Sequence, residues 1–239
     1  MAFEIVVFLP TYNERDNLPV LVRRLFGLGR DLFVLVVDDH SPDGTGAVAE
    51  ALAEEFAGRL RVIHREGPRG RGTAGIVGLA EAARMDCCLV VEMDADCSHD
   101  PDDLPRLLEA AETADLVIGS RYVAGGEAEG FGLLRTLNSR VARGLTVWIL
   151  GLHYADPTSG YRVYRKEILA RLPWDRMVSD GPSIVEETLY YIQRNGATVT
   201  EVPITYRERK IGRSKITPGI IIQWIRNLLR IRRMARQAV

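Results

Sequence analysis

The run Leu89-Val90-Val91-Glu92-Met93-Asp94-Ala95-Asp96 constrains this chain more than any other stretch. Apolar, β-branched residues in succession describe a strand buried on both faces, which belongs in a parallel sheet covered by helices. The strand stops in a D-x-D pair. Carboxylates at i and i+2 of an extended segment point to the same side. At the carboxyl end of a parallel strand they face the crevice where α/β sheets bind ligands. Two such oxygens suit a hard divalent cation, Mg²⁺ or Mn²⁺, which keeps some waters and takes further ligands from a diphosphate. The competing local reading is an acidic turn that caps the following helix.

The flanking sequence repeats the pattern. Strands are predicted at Phe3–Leu9, Leu32–Val37, Leu60–His64 and Asp115–Ile118, and helices with 3.6-residue apolar periodicity fall between them. A helix carrying Leu18, Leu21, Val22 and Leu25 follows the first strand, and one over Gly46–Ala57 follows the second. The fold class is therefore α/β, a three-layer α/β/α sandwich with a mainly parallel central sheet. Beyond Gly119 the alternation loosens. Val123–Gly132 is a long Gly-rich loop with the character of a mobile lid. Glu201-Val202-Pro203-Ile204 is an edge strand, because proline cannot donate inside a sheet.

Charge is polarised although the net is −1. From Arg207 to the end there are ten Lys or Arg and one acid, a local +9, which leaves −10 on the remainder. Such a segment seeks anions: phosphates, nucleic acid or an anionic membrane surface. Nucleic acid is the weaker choice, since no aromatic residues interleave the arginines as a reading motif requires. From Pro218 a helix is expected, with Ile221, Ile225, Leu228 and Leu229 on one stripe and Arg226, Arg230 and Arg233 on another. Residues 217–239 thus form a basic amphipathic helix that either packs on the domain or lies on a membrane surface. No apolar run approaches the roughly 20 residues of a spanning helix. The early first strand and the three unpatterned cysteines (Cys87, Cys88, Cys97) point to a reduced, cytoplasmic setting.

Two motifs invite other functions. Gly70-Arg71-Gly72-Thr73-Ala74-Gly75 matches G-x-G-x-x-G, but it sits on the third βα unit and is separated from its strand by His64–Arg69. It suits a close backbone approach to a sugar or diphosphate better than a nicotinamide cofactor. The D-x-D-x-S sequence also matches the aspartyl nucleophile of dehalogenase-type phosphatases, yet no later lysine or acidic pair completes that site. Asp38-Asp39 ends a neighbouring strand and offers carboxylates to a ribose or base amine. The four histidines share no spacing and read as solvated loop residues.

Seven motifs in order carry a resemblance over roughly residues 3–216. They are Pro10-Thr11-Tyr12-Asn13-Glu14, Val37-Asp38-Asp39 through Thr45, Met93-Asp94-Ala95-Asp96 through His99, Gly119-Ser120-Arg121-Tyr122, Asp156 through Arg162, Glu201 through Ile204, and Arg209 through Lys215. The chain resembles the family 2 glycosyltransferases of the GT-A fold, most closely the dolichol- or polyprenol-phosphate mannose synthases. The resemblance implies that residues 1–216 are the catalytic domain. It places Pro10, Tyr12, Glu14, Val36 and Asp38 in a nucleotide pocket, and Asp94, Ala95 and Asp96 at the metal and diphosphate. Arg121, Arg135, Arg209 and Lys215 would hold the donor diphosphate and the lipid phosphate, with Asp96, Arg121 and Arg135 closest to the reaction. The implied donor is GDP-mannose, the acceptor a polyprenyl or dolichyl phosphate on the cytoplasmic face of a membrane, and the cofactor Mg²⁺ or Mn²⁺. A β-linked glycosyl phospholipid forms with inversion. One departure stands out. Gly181-Pro182-Ser183-Ile184-Val185-Glu186-Glu187 lacks the aromatics and glutamine of the family's Gly-Tyr-x-Phe-Gln-x-Glu, which leaves UDP-glucose open as an alternative donor.

Overall fold

The computed structural model describes residues 3–130, 132–207 and 218–237. In order they form β1 (Phe3–Thr11), α1 (Leu18–Gly27), β2 (Leu32–Asp38), α2 (Thr45–Glu55), β3 (Leu60–His64), α3 (Arg71–Ala82), β4 (Cys87–Glu92), α4 (Leu104–Ala110) and β5 (Leu116–Ser120). Then come β6 (Glu127–Glu129), α5 (Leu133–Leu150), β7 (Arg162–Arg165), α6 (Lys166–Ala170), α7 (Ile184–Arg194), β8 (Val199–Pro203), β9 (Thr205–Arg207) and α8 (Pro218–Gln237).

Seven strands make one sheet in the order β3-β2-β1-β4-β7-β5-β8. All neighbours are parallel except β7, which runs antiparallel to both β4 and β5. Uniformly apolar strands still sort their side chains by parity. Val6 and Phe8 of β1, with Phe33, Leu35 and Val37 of β2, enter one core layer together with Leu79, Leu189, Leu228 and Ile231. Ile5, Val7 and Leu9, with Val34 and Val36, enter the other, under α1, α2 and α4. Period-two alternation on a two-sided sheet yields three layers.

The close fit of α3 to the sheet explains the glycine motif. A Cβ on Gly78 would lie 2.0 Å from the Phe8 ring, and one on Gly72 would lie 2.3 Å from the Ser179 carbonyl oxygen. The close approach expected here is therefore to the chain's own residues 179–180. The expected lid is also partly ordered. Residues 127–129 form β6, which pairs in parallel with β9 as a second, two-stranded sheet. Arg207 ties the pair together by bonding Glu129 (3.1 Å) and Asp100.

The C-terminal helix packs against α5 and α7. Its expected apolar stripe is divided: Leu228 is wholly buried, whereas Ile221 and Leu229 remain about half exposed, and Ile231, outside that stripe, is also wholly buried. No helix of the described residues is long and apolar enough to cross a membrane.

Candidate active site

The loops that follow β1, β2 and β4 open at the carboxyl edge of the sheet around a cleft of about 650 Å³. Each contains one non-glycine residue in the left-handed region: Asn13 (φ 59°), His40 (φ 54°) and Cys97 (φ 60°). They are the only non-glycine residues with positive φ among those described. Such backbone costs of order 1 kcal/mol for residues other than glycine, and it gathers where geometry is held for function. A second concavity, about 590 Å³, lies at the opposite end of the strands beside Phe3, Phe26 and Arg30. It holds none of the residues expected to act, and α/β sheets bind ligands at the other end.

Pro10, Tyr12 and Glu14 line the cleft from β1 and its loop. Tyr12 accepts a hydrogen bond from Arg69 (3.0 Å) and lies under its guanidinium. Glu14 is braced by Asn17 (2.8 Å) and its backbone by Thr45 (2.9 Å). Asp94, Ala95 and Asp96 face the same space. Val36 does not. It is wholly enclosed in the layer beneath α1 and α2, so it offers no surface to a nucleotide. Asp38 is also withdrawn, at 2% exposure, and its carboxylate is occupied by Thr11 (3.0 Å) and Ser41 (2.6 Å). Asp39 takes its place on the cleft wall, paired with Arg65 and accepting from the Gly70 amide (2.7 Å). The parity of β2 decides between two adjacent aspartates.

The acidic loop is held from several sides. Asp96 is 4% exposed and accepts the Ser98 amide (3.0 Å), a turn closed by its own side chain. His99, expected in solvent, is buried at 2% exposure with its ring stacked on Tyr161 at 5.0 Å. Its Nδ1 accepts the Asp94 amide (3.0 Å). Burial holds its pKa below the ordinary value, so the ring is neutral with the proton on Nε2. His99 thereby fixes the backbone of the acidic pair. The signal for it was its position five residues beyond Asp94 in a tight strand-to-helix loop. Arg71 approaches from α3 and bonds Glu92 (2.8 Å) and, more loosely, Asp94 (3.4 Å). Glu92 is wholly buried and is completed by the Tyr164 hydroxyl (2.8 Å).

Asp94 and Asp96 fit a divalent cation by donor type. Gly160 keeps the space beside them open, because a Cβ there would lie 3.7 Å from the Asp94 carboxylate. Among the described residues no third His, Cys, Asp or Glu joins them in a metal-holding group. A cation bound here would complete its shell with diphosphate oxygens and water, as Mg²⁺ and Mn²⁺ do.

Arg121 is not on the cleft wall. Its guanidinium forms a two-pronged pair with the buried Asp156 (2.7 and 2.8 Å), bonds Thr158 (3.0 Å) and stacks between Tyr122 and Tyr206. Thr158 and Tyr206, which Arg121 contacts, do line the cleft. Of Arg135 only the backbone, in α5, is described, and Arg209 and Lys215 lie outside the described residues.

The far wall joins the stretch already tied to the choice of sugar with α8, which the sequence did not connect to the site. Asp180, Pro182, Ser183 and Val185 line it from the start of α7, and Gln223, Trp224 and Asn227 from α8. Asn227 bonds Asp180 and Ser183 (both 3.0 Å), and Trp224 donates to Glu186 (2.9 Å). Glu187 accepts the amides of Val178 and Ser179, which pins the 178–181 segment to α7. The clue in sequence was the pair Gln223 and Asn227, neutral amides one turn apart in a helix built mostly from apolar and basic residues.

Glu186 gives this wall a pH dependence. It is 2% exposed, its Oε2 has no hydrogen-bond partner among the described residues, and burial pushes its pKa up to about 7. The folded pKa thus lies above the ordinary glutamate value of about 4.5. The contribution of Glu186 to stability is therefore complete below about pH 4.5 and is lost as pH rises toward 7. Glu186→Gln keeps an acceptor for Trp224 and removes the charge. In denaturant unfolding the variant should match wild type near pH 4.5 and exceed it by about 2–3 kcal/mol near pH 8. Equal stability at pH 8 would show that Glu186 is not buried as an acid.

With this geometry in place, comparison with known proteins is direct. Residues 6–172 match the family model described as glycosyl transferase family 2. The chain is 42% identical over 213 residues to polyprenol monophosphomannose synthase of Mycolicibacterium smegmatis, covering 89% of this chain and 80% of the relative. It is 41% identical over 226 residues to undecaprenyl-phosphate mannosyltransferase of Micrococcus luteus, covering 95% and 93%. Among solved structures, glucosyl-3-phosphoglycerate synthase of Mycobacterium tuberculosis in complex with Mn²⁺, UDP-glucose and phosphoglyceric acid aligns with a TM-score of 0.71 at 22% identity, over 96% of this chain and 80% of that one. This likeness shows a shared fold. The family model spans most of the sheet and its acidic cleft edge, and the chain belongs to glycosyl transferase family 2.

Proposed function

We propose that the protein transfers mannose from GDP-mannose to a polyprenyl phosphate, giving a β-linked mannosyl phospholipid. The observation that carries this reading is that the D-x-D loop and the C-terminal basic helix wall one cleft. A nucleotide diphosphate at the acidic loop and a lipid phosphate near the helix can meet there. The two relatives named above, each a transferase or synthase for a polyprenyl phosphate product, support the acceptor class.

The residues divide the work. Pro10, Tyr12, Glu14 and Asp39 wall the nucleotide end. Asp94 and Asp96 hold a divalent cation, Mg²⁺ or Mn²⁺, whose charge offsets that of the leaving diphosphate. His99 and the turn closed by Asp96 keep that loop rigid, so little reorganisation is needed as charge develops. The acceptor phosphate has a second pKa of about 6 and is largely ionised at neutral pH, so attack on the sugar requires no general base. Positioning two anions against each other falls to cations: Arg69 and Arg71 at the cleft, with Arg135, Arg209 and Lys215 assigned to the lipid phosphate. The enzyme would work as a peripheral protein at the cytoplasmic face of the membrane.

The segment Gly181–Val185 lies on the cleft wall and lacks the aromatics and glutamine of the mannose synthases' motif, which motivates a second reading in which the sugar is glucose. Purified protein should be offered radiolabelled GDP-mannose, UDP-glucose or GDP-glucose with polyprenyl phosphate and Mg²⁺ or Mn²⁺. Label entering the organic phase from GDP-mannose alone is expected. Faster transfer from UDP-glucose would reassign the sugar, and no transfer from any donor would overturn the reaction.

A further inference from the structure

Asp180 is an exposed residue of the cleft wall whose place is fixed from three elements. Its carbonyl accepts the Gly72 amide at the start of α3 (3.1 Å). A Cβ on Gly70 would lie 2.1 Å from that same carbonyl oxygen, so the turn before α3 seats the segment with no room for a side chain. From α7, Glu187 accepts the amides of Val178 and Ser179, the two residues just before it. From α8, the buried Asn227 donates to the Asp180 carboxylate and to Ser183 (both 3.0 Å), while its own oxygen accepts from Gln223 (3.3 Å). An exposed carboxylate ordinarily loses rotamer freedom when it binds a ligand, and here folding has already ordered it.

The surroundings of Asp180 have a definite chemistry. Ser183, Gln223 and Asn227 add a hydroxyl and two amides to its carboxylate, and Trp224 adds an aromatic surface. Among the described residues, the cations lining the cleft are Arg69 and Arg71, both on the Gly-rich turn. Arg69 is engaged by Tyr12, and Arg71 by Glu92 and Asp94. The bond described for the Asp180 carboxylate comes from a neutral amide, so its charge repels a phosphate while its oxygens accept from hydroxyls. A carboxylate, amides and an aromatic ring together suit a neutral polyol. Arg71, which bonds Asp94, directly precedes Gly72, which bonds Asp180. The acidic loop and Asp180 thus flank the same two residues of α3, and a hexose carried by a diphosphate at Asp94 and Asp96 lies against this wall.

We propose that Asp180, aligned by Asn227, reads the hydroxyl pattern of the donor's hexose and decides which sugar is transferred. The proposal rests on the reading that the cleft takes a nucleotide sugar, and it names the group that tells one hexose from another. Asp180 touches the sugar, and Asn227 acts through Asp180 as a positioning residue. Mannose and glucose differ in the direction of one hydroxyl. A site built to bond that hydroxyl discriminates against the epimer that turns it away, because the carboxylate covered by the sugar is then left unpaired.

The test is calorimetric binding of GDP, GDP-mannose and GDP-glucose to the full chain with Mn²⁺, alongside kcat/KM for transfer of each sugar to a short, water-soluble prenyl phosphate. Wild type is expected to favour one hexose over the other by at least about tenfold. Asp180→Ala changes an exposed position, so its denaturation midpoint should match wild type and its GDP affinity should stay within about twofold. Its preference between the hexoses should nonetheless fall by about tenfold. Asn227→Leu removes the alignment at nearly constant volume and should lose the same preference, with retained GDP affinity reporting an intact cleft. An unchanged hexose preference in either variant would overturn the proposal, as would a wild type that does not distinguish the two hexoses in binding or transfer. Equal losses of GDP and GDP-mannose affinity in Asp180→Ala would overturn it in favour of a nucleotide contact. A raised KM for the prenyl phosphate as the only change would overturn it in favour of the acceptor. If wild type transfers neither sugar, the proposed reaction fails while the binding preference still judges Asp180.

Discussion

Asp96→Asn is expected to lower sugar transfer by at least about a hundredfold while leaving the protein folded. The amide preserves the shape and the Oδ1 acceptor that closes the turn with the Ser98 amide, so the loop survives. What is lost is one anionic oxygen donor at the cleft, and a cation's contribution to offsetting transition-state charge is worth several kcal/mol. Asp96→Ala is the less informative variant. Asp96 is buried at 4% exposure, not set in an open crevice, and alanine removes the turn as well as the charge. Activity should be measured over a Mn²⁺ titration together with the denaturation midpoint. Transfer within threefold of wild type in the Asn variant, or undiminished transfer in excess chelator, would remove the metal assignment.

The largest loss of stability is expected from Arg162→Lys. Arg162 is wholly buried, and the hydrogen bonds described for it go to carbonyl and hydroxyl oxygens, not to a carboxylate. Its guanidinium donates instead to Ser159 O (2.8 Å), Pro157 O (2.8 Å), the Val185 carbonyl and Thr188 Oγ1 (3.2 Å). Those acceptors belong to β7's approach loop and to α7, so one side chain clamps two walls of the cleft, those of Thr158 and Val185. A lysine has one nitrogen and reaches at most a few of them. Carbonyls left buried without donors cost about 1–3 kcal/mol each. The total should be at least about 3 kcal/mol, or roughly 6–12 °C in melting temperature for a chain of this size. A melting point within 2 °C of wild type would contradict the clamp. Transfer should also fall, since both walls loosen together.

Both residues stand in motifs that are plain in the sequence, but only one could be given its role from sequence. The D-x-D pair is legible because its meaning is local: an apolar strand, then two acids whose direction follows from strand geometry. The same holds for the α/β class, for the helix–strand alternation through β5, and for the proline-bearing edge strand at β8. Each depends on periodicity or turn chemistry within a dozen residues.

What escaped depends on contacts between residues distant in the chain. Asp39 faces the cleft and Asp38 does not, because the register of β2 against β1 and β3 turns one inward. Arg121 looks like a phosphate ligand until Asp156, 35 residues away, is seen to hold it. His99 looks solvated until Tyr161 covers it. The apolar stripe of α8 could pack on the domain or lie on a membrane, and it is divided between core, cleft and surface because α5 and α7 cover only part of it. Sequence therefore determined the class of fold and the chemistry offered at the end of β4. The tertiary structure decided which charged groups remain available to a ligand, because a buried charge is claimed by whichever partner folding brings to it.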